Sequence, residues 1–224
     1  MPLVGLLALM VLLAGAPTIS AAPGAQDVGS APRMVSAKTG NEPQYTHRKV
    51  EKVRVSDVLC AKFKAANPAQ ASNPDLCTFT HGAEWTDMQP LTPEQQAAAP
   101  QADVAVAQSC PSGTAYYYDW NESSATRWEM DLKTWWIWYG DCQAPTLTRQ
   151  LCYVNYTVST TITNRQCYQY TYPSIAPNRR AAVYVGHIIE YWPFATLEFD
   201  TGQRRECFNT GASSCYWTSW DGAV

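Results

Sequence analysis

Two hydrophobic periods divide this chain, and a third segment has neither. Leu3–Ala16 is one unbroken apolar run, LVGLLALMVLLAGA, with small residues after it. It has the length of a secretory signal and is too short to span a bilayer comfortably. Residues 1–22 are therefore read as a signal peptide, cut after Ala21 or Ala22. Residues 23–48 are rich in Ala, Gly, Pro and Ser with no apolar period, and read as an extended N-terminal arm. Val50, Val53 and Val55 alternate weakly among charges, as on an edge strand.

Residues 49–89 read as a small α/β element. Ser56 is a helix cap, and Val58, Leu59 and Phe63 form a stripe before Asn67-Pro68 ends the helix. A short strand at Leu76–Thr80 follows. Residues 90–106 read as a short helix and linker, with Thr92 as cap, Pro93 in the first turn and Gln95 three residues after the cap.

From residue 107 to 224 the period becomes two. Tyr116, Tyr118 and Trp120 share a strand face, and so do Val183, Val185, His187, Ile189 and Tyr191. Arg149–Ser159 and Thr161–Thr171 read as a hairpin with Cys152 facing Cys167. Asp200–Gln203 reads as a hairpin turn between Ala195–Phe199 and Arg204–Cys207. The fold class is mainly β: a C-terminal antiparallel sandwich or barrel, preceded by the α/β element and the arm.

Cysteine content changes this picture from a loose sheet to a stapled one. All eight cysteines lie after the signal, in even number and with no CxxC, so disulfides are expected rather than zinc. Pairing between neighbours gives Cys60–Cys77, Cys110–Cys142, Cys152–Cys167 and Cys207–Cys215. The expected location is extracellular, with no membrane contact after signal cleavage.

Charge is uneven. Residues 23–66 carry eight Lys or Arg against four Asp or Glu, and residues 67–224 carry eight against fifteen. The acidic part lacks the clustered cations that nucleic acid requires. The basic front suits an acidic partner or the acidic part of the chain itself.

Residues 110–224 hold eight of the nine Trp and twelve of the thirteen Tyr, but one lysine, Lys133, and one histidine, His187. That composition suits recognition more than acid–base catalysis. In Lys133–Tyr139, Trp135, Ile137 and Tyr139 take one strand face, and Trp136 and Trp138 take the other. Two apolar faces mean either a strand covered on both sides or one face kept for contact. The candidate contact residues are Tyr116, Tyr118, Trp135, Trp136, Trp138 and Tyr139. No catalytic residue, metal ligand or cofactor is assigned. His187 reads as a core histidine, and no ligand partner stands at suitable spacing from His81. Asn121-Glu122-Ser123 and Asn155-Tyr156-Thr157 match the glycosylation sequon.

Glu129, Asp131, Glu190 and Glu198 are the carboxylates a glycosidase would draw on. His187-Ile188-Ile189-Glu190-Tyr191-Trp192 resembles the Glu-bearing strand of small jelly-roll xylanases. The whole chain, with its signal, its leader, its Cys60…Cys77-Thr78-Phe79-Thr80-His81 element and its aromatic β domain, resembles small secreted disulfide-containing proteins of streptomycete-type bacteria. Some similar proteins are adaptors in secreted toxin particles. With the arm and the charge split, the resemblance points to a non-enzymatic adaptor whose partner is a secreted or cell-surface protein, the arm with its alternating valines adding as a strand to a partner's sheet and the aromatic domain making the second contact. The alternatives are a polysaccharide-binding module or small glycoside hydrolase, and an inhibitory pro-region spanning residues 23–101.

Overall fold

Alternation of apolar and polar residues over nine strands builds two antiparallel sheets that share one core. The computed structural model describes residues 43–100, 110–123, 127–171, 178–209 and 213–223. The signal segment and most of the arm lie outside them. Sheet A is a five-stranded meander of β1 (His47–Arg54), β2 (Thr78–Trp85), β3 (Ser112–Ser123), β4 (Trp128–Tyr139) and β5 (Thr146–Tyr156). Sheet B is a four-stranded meander of β6 (Thr160–Thr171), β7 (Arg179–Tyr191), β8 (Thr196–Asn209) and β9 (Ser213–Ala223). Among the described residues, no helix is long and apolar enough to cross a membrane.

Residues 49–89, read from the sequence as an element of their own, supply most of β1, the helix α1 (Asp57–Ala66) and β2 to the sheet and core that β3 also builds. Ser56 caps α1 by accepting the Leu59 amide, 3.2 Å. The buried stripe is Leu59, Cys60, Phe63 and Ala66, and Val58 points to solvent. Phe63 meets Phe79, Trp192 and Phe199 at ring distances of 6.1, 6.1 and 5.8 Å, so α1 packs against the aromatic core. The expected capping box of the second helix, α2 (Pro93–Ala97), is present.

The neighbour pairing of cysteines is the one found: Cys60–Cys77, Cys110–Cys142, Cys152–Cys167 and Cys207–Cys215. Cys152–Cys167 corrects the hairpin reading of its region. β5 and β6 lie in different sheets, and the disulfide joins them where no ladder does. A second correction concerns Asp200–Gln203, which is the middle of the continuous strand β8. Its residues stay extended because Gln203 reaches the Met130 carbonyl across the core, 2.8 Å. Removing the eight-residue Cys207–Cys215 link by double Cys→Ser exchange should cost about 2–3 kcal/mol, read from denaturant midpoints with the other bridges intact.

The sheets are cross-linked by buried polar contacts as well as apolar packing. Asn121 on β3 donates to the Gly202 carbonyl on β8, 3.0 Å, and the Trp138 indole donates to the Phe208 carbonyl, 3.2 Å. Arg205 on β8 holds Asp119 on β3 with two hydrogen bonds, the Nε one at 3.1 Å, and lies 4.4 Å over the Tyr117 ring. Arg127 and two indoles enclose Glu190: Trp128 and Trp192 donate to its two oxygens at 2.8 and 2.7 Å. Burial lifts the Glu190 carboxyl above its ordinary range, opposed by these donors and by Arg127.

Candidate functional site

Strand parity gives each sheet an outer face, and most of the candidate residues fall on that of sheet A. Across β3 and β4 the register sets Tyr116 beside Trp135, Tyr118 beside Lys133, and Trp120 beside Asp131. Across β4 and β5 it sets Trp135 beside Arg149 and Asp131 beside Tyr153. Tyr116, Tyr118 and Trp135 are thereby brought together, with Tyr139 partly exposed at the end of the same strand face. Trp136 and Trp138 are 1% and 0% exposed on the opposite, core face. They are corrected from contact candidates to packing residues. Trp120, Lys133, Tyr153 and Arg149 belong to the same face beyond the six candidates, Trp120 and Lys133 buried within it. The alternation through Trp120 was visible, but the strand neighbours on β5 were not.

The rings of this face already carry cations. Arg48 lies 5.5 Å over Trp120 and Arg149 lies 4.9 Å over Trp135. Lys133 sits 5.1 Å from the Tyr118 ring and 5.8 Å from the Tyr153 ring. Beneath them the Tyr118 hydroxyl donates to Asp131, 3.0 Å, and to Glu129, 3.4 Å. Burial and the adjacent Glu129 carboxylate hold the Asp131 carboxyl well above the ordinary range. Burial first, then the two carboxylates, push the Tyr118 hydroxyl up as well.

Trp120 lies flat on Gly82 of β2. A Cβ built on Gly82 would stand 1.9 Å from the indole, so the glycine is required by close approach. Gly82→Ala should cost about 1–3 kcal/mol by overpacking and displace the indole, seen as a shift in Trp emission.

The outer face of sheet B is built the same way: Trp220 on β9 lies on Gly202 of β8. Its middle is Ala181, Val183 and Val185 of β7 and, on β8, Gly202 with Arg204 and the buried Glu206, which meets Arg204 at 3.6 Å and Arg179 at 3.5 Å. Tyr168 and Tyr170 flank it on β6, and Tyr216 and Trp220 flank it on β9. These four rings are 43%, 51%, 37% and 39% exposed. This placement reverses one expectation. The series Val183, Val185, His187, Ile189 and Tyr191 is the outer face, and Ala182, Tyr184, Ile188 and Glu190 point to the core. His187 is not a core residue; it meets Asp200 at 2.9 Å and Glu198 at 3.5 Å on that outer face.

The carboxylates considered for hydrolysis are dispersed. Glu129 and Asp131 share one tyrosine hydroxyl, Glu190 is held between two indoles, and Glu198 stands by His187. Among the described residues, no group of three or more His, Cys, Asp or Glu could hold a metal ion. The basic charges of β1 are matched locally: Lys52 with Asp75 at 3.0 Å, Arg54 with Asp57 at 3.0 Å, Arg48 with Glu84 at 3.5 Å, and Lys49 with Glu51. Asn121, of the first sequon, is fully buried.

His81 lies between the sheets with one ring nitrogen bonded to the Ser219 hydroxyl. Burial lowers its pKa to about 4, partly offset by Glu51. A depressed histidine adds stability that is complete above the unfolded pKa of 6.5 and lost as pH falls toward 4. The raised carboxyls act in the opposite sense, so a comparison isolates the histidine. Relative to His81→Gln, the unaltered protein should lose about 3 kcal/mol between pH 7 and pH 4 in denaturant titrations.

No protein-family model, curated protein or solved structure matches this chain.

Proposed function

We propose that the protein is an exported, non-enzymatic binding module that joins protein partners through the opposite outer faces of its two sheets. The observation that carries this reading is the set of exposed rings Tyr168, Tyr170, Tyr216 and Trp220 around a floor of β7 aliphatics and the Arg204–Glu206 ion pair of β8. Exposed apolar patches of this kind mark interaction sites on soluble proteins. Sheet A supports it differently. Its Trp, Tyr and Arg mixture has the composition of protein interfaces, and its rings are engaged by Arg48, Arg149 and Lys133. A sugar platform needs ring faces left free for stacking. Four disulfides are compatible with an extracellular setting. The reading also agrees with the resemblance to adaptors of secreted toxin particles.

The test is co-purification of the tagged protein from its native secretion medium, alongside two variants. Tyr168→Ser/Tyr170→Ser alters the face of sheet B, and Trp135→Ala/Tyr153→Ala alters that of sheet A. Each is expected to lose a different co-purifying protein while keeping the other. Retention of all partners by both variants would defeat the proposal. Retention of the unaltered protein on insoluble polysaccharide would favour the carbohydrate-binding alternative.

A further inference from the structure

Val158 and Phe194 are the most exposed large apolar side chains among the described residues. Val158 stands wholly in solvent, and Phe194 is 74% exposed. They sit on two turns, one between β5 and β6 and one between β7 and β8. The turns lie side by side at one end of the sandwich, because Thr160 pairs with Glu190 and the Tyr191 amide donates to the Ser159 carbonyl, 2.8 Å.

Both turns are held firmly. Arg127 donates from Nε to the Ser159 hydroxyl, 3.3 Å, and from Nη2 to the Tyr191 carbonyl, 2.9 Å. The Trp192 amide donates to the Ala195 carbonyl, 2.9 Å, and closes the second turn. The Thr157 amide donates to the Arg127 carbonyl, 2.8 Å, and ties the first to β4. Neither residues 155–163 nor residues 191–197 contain a charged residue or a histidine. Behind the tips stand Tyr191, exposed, and Tyr156 and Trp192, partly buried. Arg127 covers the Trp192 ring at 4.1 Å, and the indole N–H is bound to Glu190. Apolar tips backed by Tyr and Trp repeat the order of side chains across a membrane–water boundary.

We infer that this pair of tips is a lipid-contacting site, with Val158 and Phe194 entering the headgroup–acyl boundary of a zwitterionic bilayer. Shape favours lipid over protein. A stable protein interface takes roughly 800 Å² from each partner, and two protruding side chains offer far less. A bilayer closes around a protrusion, and its hold grows with the apolar area it covers. Charge favours a neutral lipid, since the tips carry no cation and those of β1 are matched by acids beside them. The contact is peripheral and made by side chains, so it departs from the expectation of no membrane contact without requiring a span. The tips are a third surface, and the adaptor reading is not needed for them.

Sedimentation of the chain without its signal segment on phosphatidylcholine vesicles tests the inference. The unaltered protein is expected to partition onto the vesicles with no loss on adding salt. Val158→Asp/Phe194→Asp is expected to lower that partition at least about tenfold. Both side chains are exposed, so the denaturant midpoint should not move. Failure of the unaltered protein to sediment with the vesicles would overturn the inference. Equal partition of the variant would overturn it in favour of another surface. Partition confined to anionic vesicles and abolished by salt would overturn it in favour of the cations of β1. Loss of a co-purifying protein by the variant, with no vesicle binding by either form, would overturn it in favour of a protein contact.

Discussion

Arg205→Ala is expected to destabilise the fold by about 3–5 kcal/mol, a large part of the stability of a domain this size. Arg205 and Asp119 are both buried, and their two hydrogen bonds join β8 to β3 across the core. The guanidinium also covers the Tyr117 ring. Truncating the arginine leaves the Asp119 carboxyl buried between the sheets with its charge unmatched. Burial already lifts that carboxyl above its ordinary range, and Arg205 is what opposes the shift. Arg205→Lys should recover little, because an ammonium cannot make the paired contact. The double exchange Asp119→Leu/Arg205→Met should recover most of the loss, since an apolar pair leaves no charge buried. Denaturant unfolding with the disulfides intact measures all four proteins. A loss below about 1 kcal/mol for Arg205→Ala would contradict the buried pair as the link between sheets.

The second large effect separates neighbours in one tripeptide. Trp136→Ala should cost about 3–5 kcal/mol, because its ring is buried and its truncation leaves a cavity in the core. Trp135→Ala should cost less than about 1 kcal/mol. Its ring lies on the partly exposed face between Tyr116, at 6.2 Å, and Arg149. The functional expectation is the reverse: Trp135→Ala weakens partner capture, and Trp136→Ala leaves capture intact in whatever fraction stays folded. Equal stability losses at the two positions would contradict the division of this strand into a core face and a contact face.

What could be read from the sequence was what local spacing controls. The capped helices and the faces of β3 and β4 follow from residues a few positions apart, and each cysteine pairs with the next one along the chain, 8 to 32 residues away. Apolarity alone assigns the faces of β7 in reverse, because its outer series, with Val183, Val185 and Ile189, is the more apolar one. Its core series keeps space for sheet A: Gly186 sits where a Cβ would meet Met130 at 3.2 Å, and Glu190 is satisfied by Trp128. β8 looked like two short strands because Thr201, Gln203 and Arg205 are polar. Their positions make sense only with partners such as Met130 and Asp119, 73 and 86 residues away. The contact face of sheet B is not legible in local spacing either, since Tyr168, Tyr170, Tyr216 and Trp220 come from strands at opposite edges of the sheet.

The most direct test of the central claim is hydroxyl-radical footprinting of the protein, free and within the complex purified from its native medium. Tyr168, Tyr170, Tyr216 and Trp220 are predicted to be modified in the free protein and protected in the complex, with Trp136 and Trp138 unmodified in both. Equal modification of those four rings in both states would contradict the assignment of this face as a partner surface.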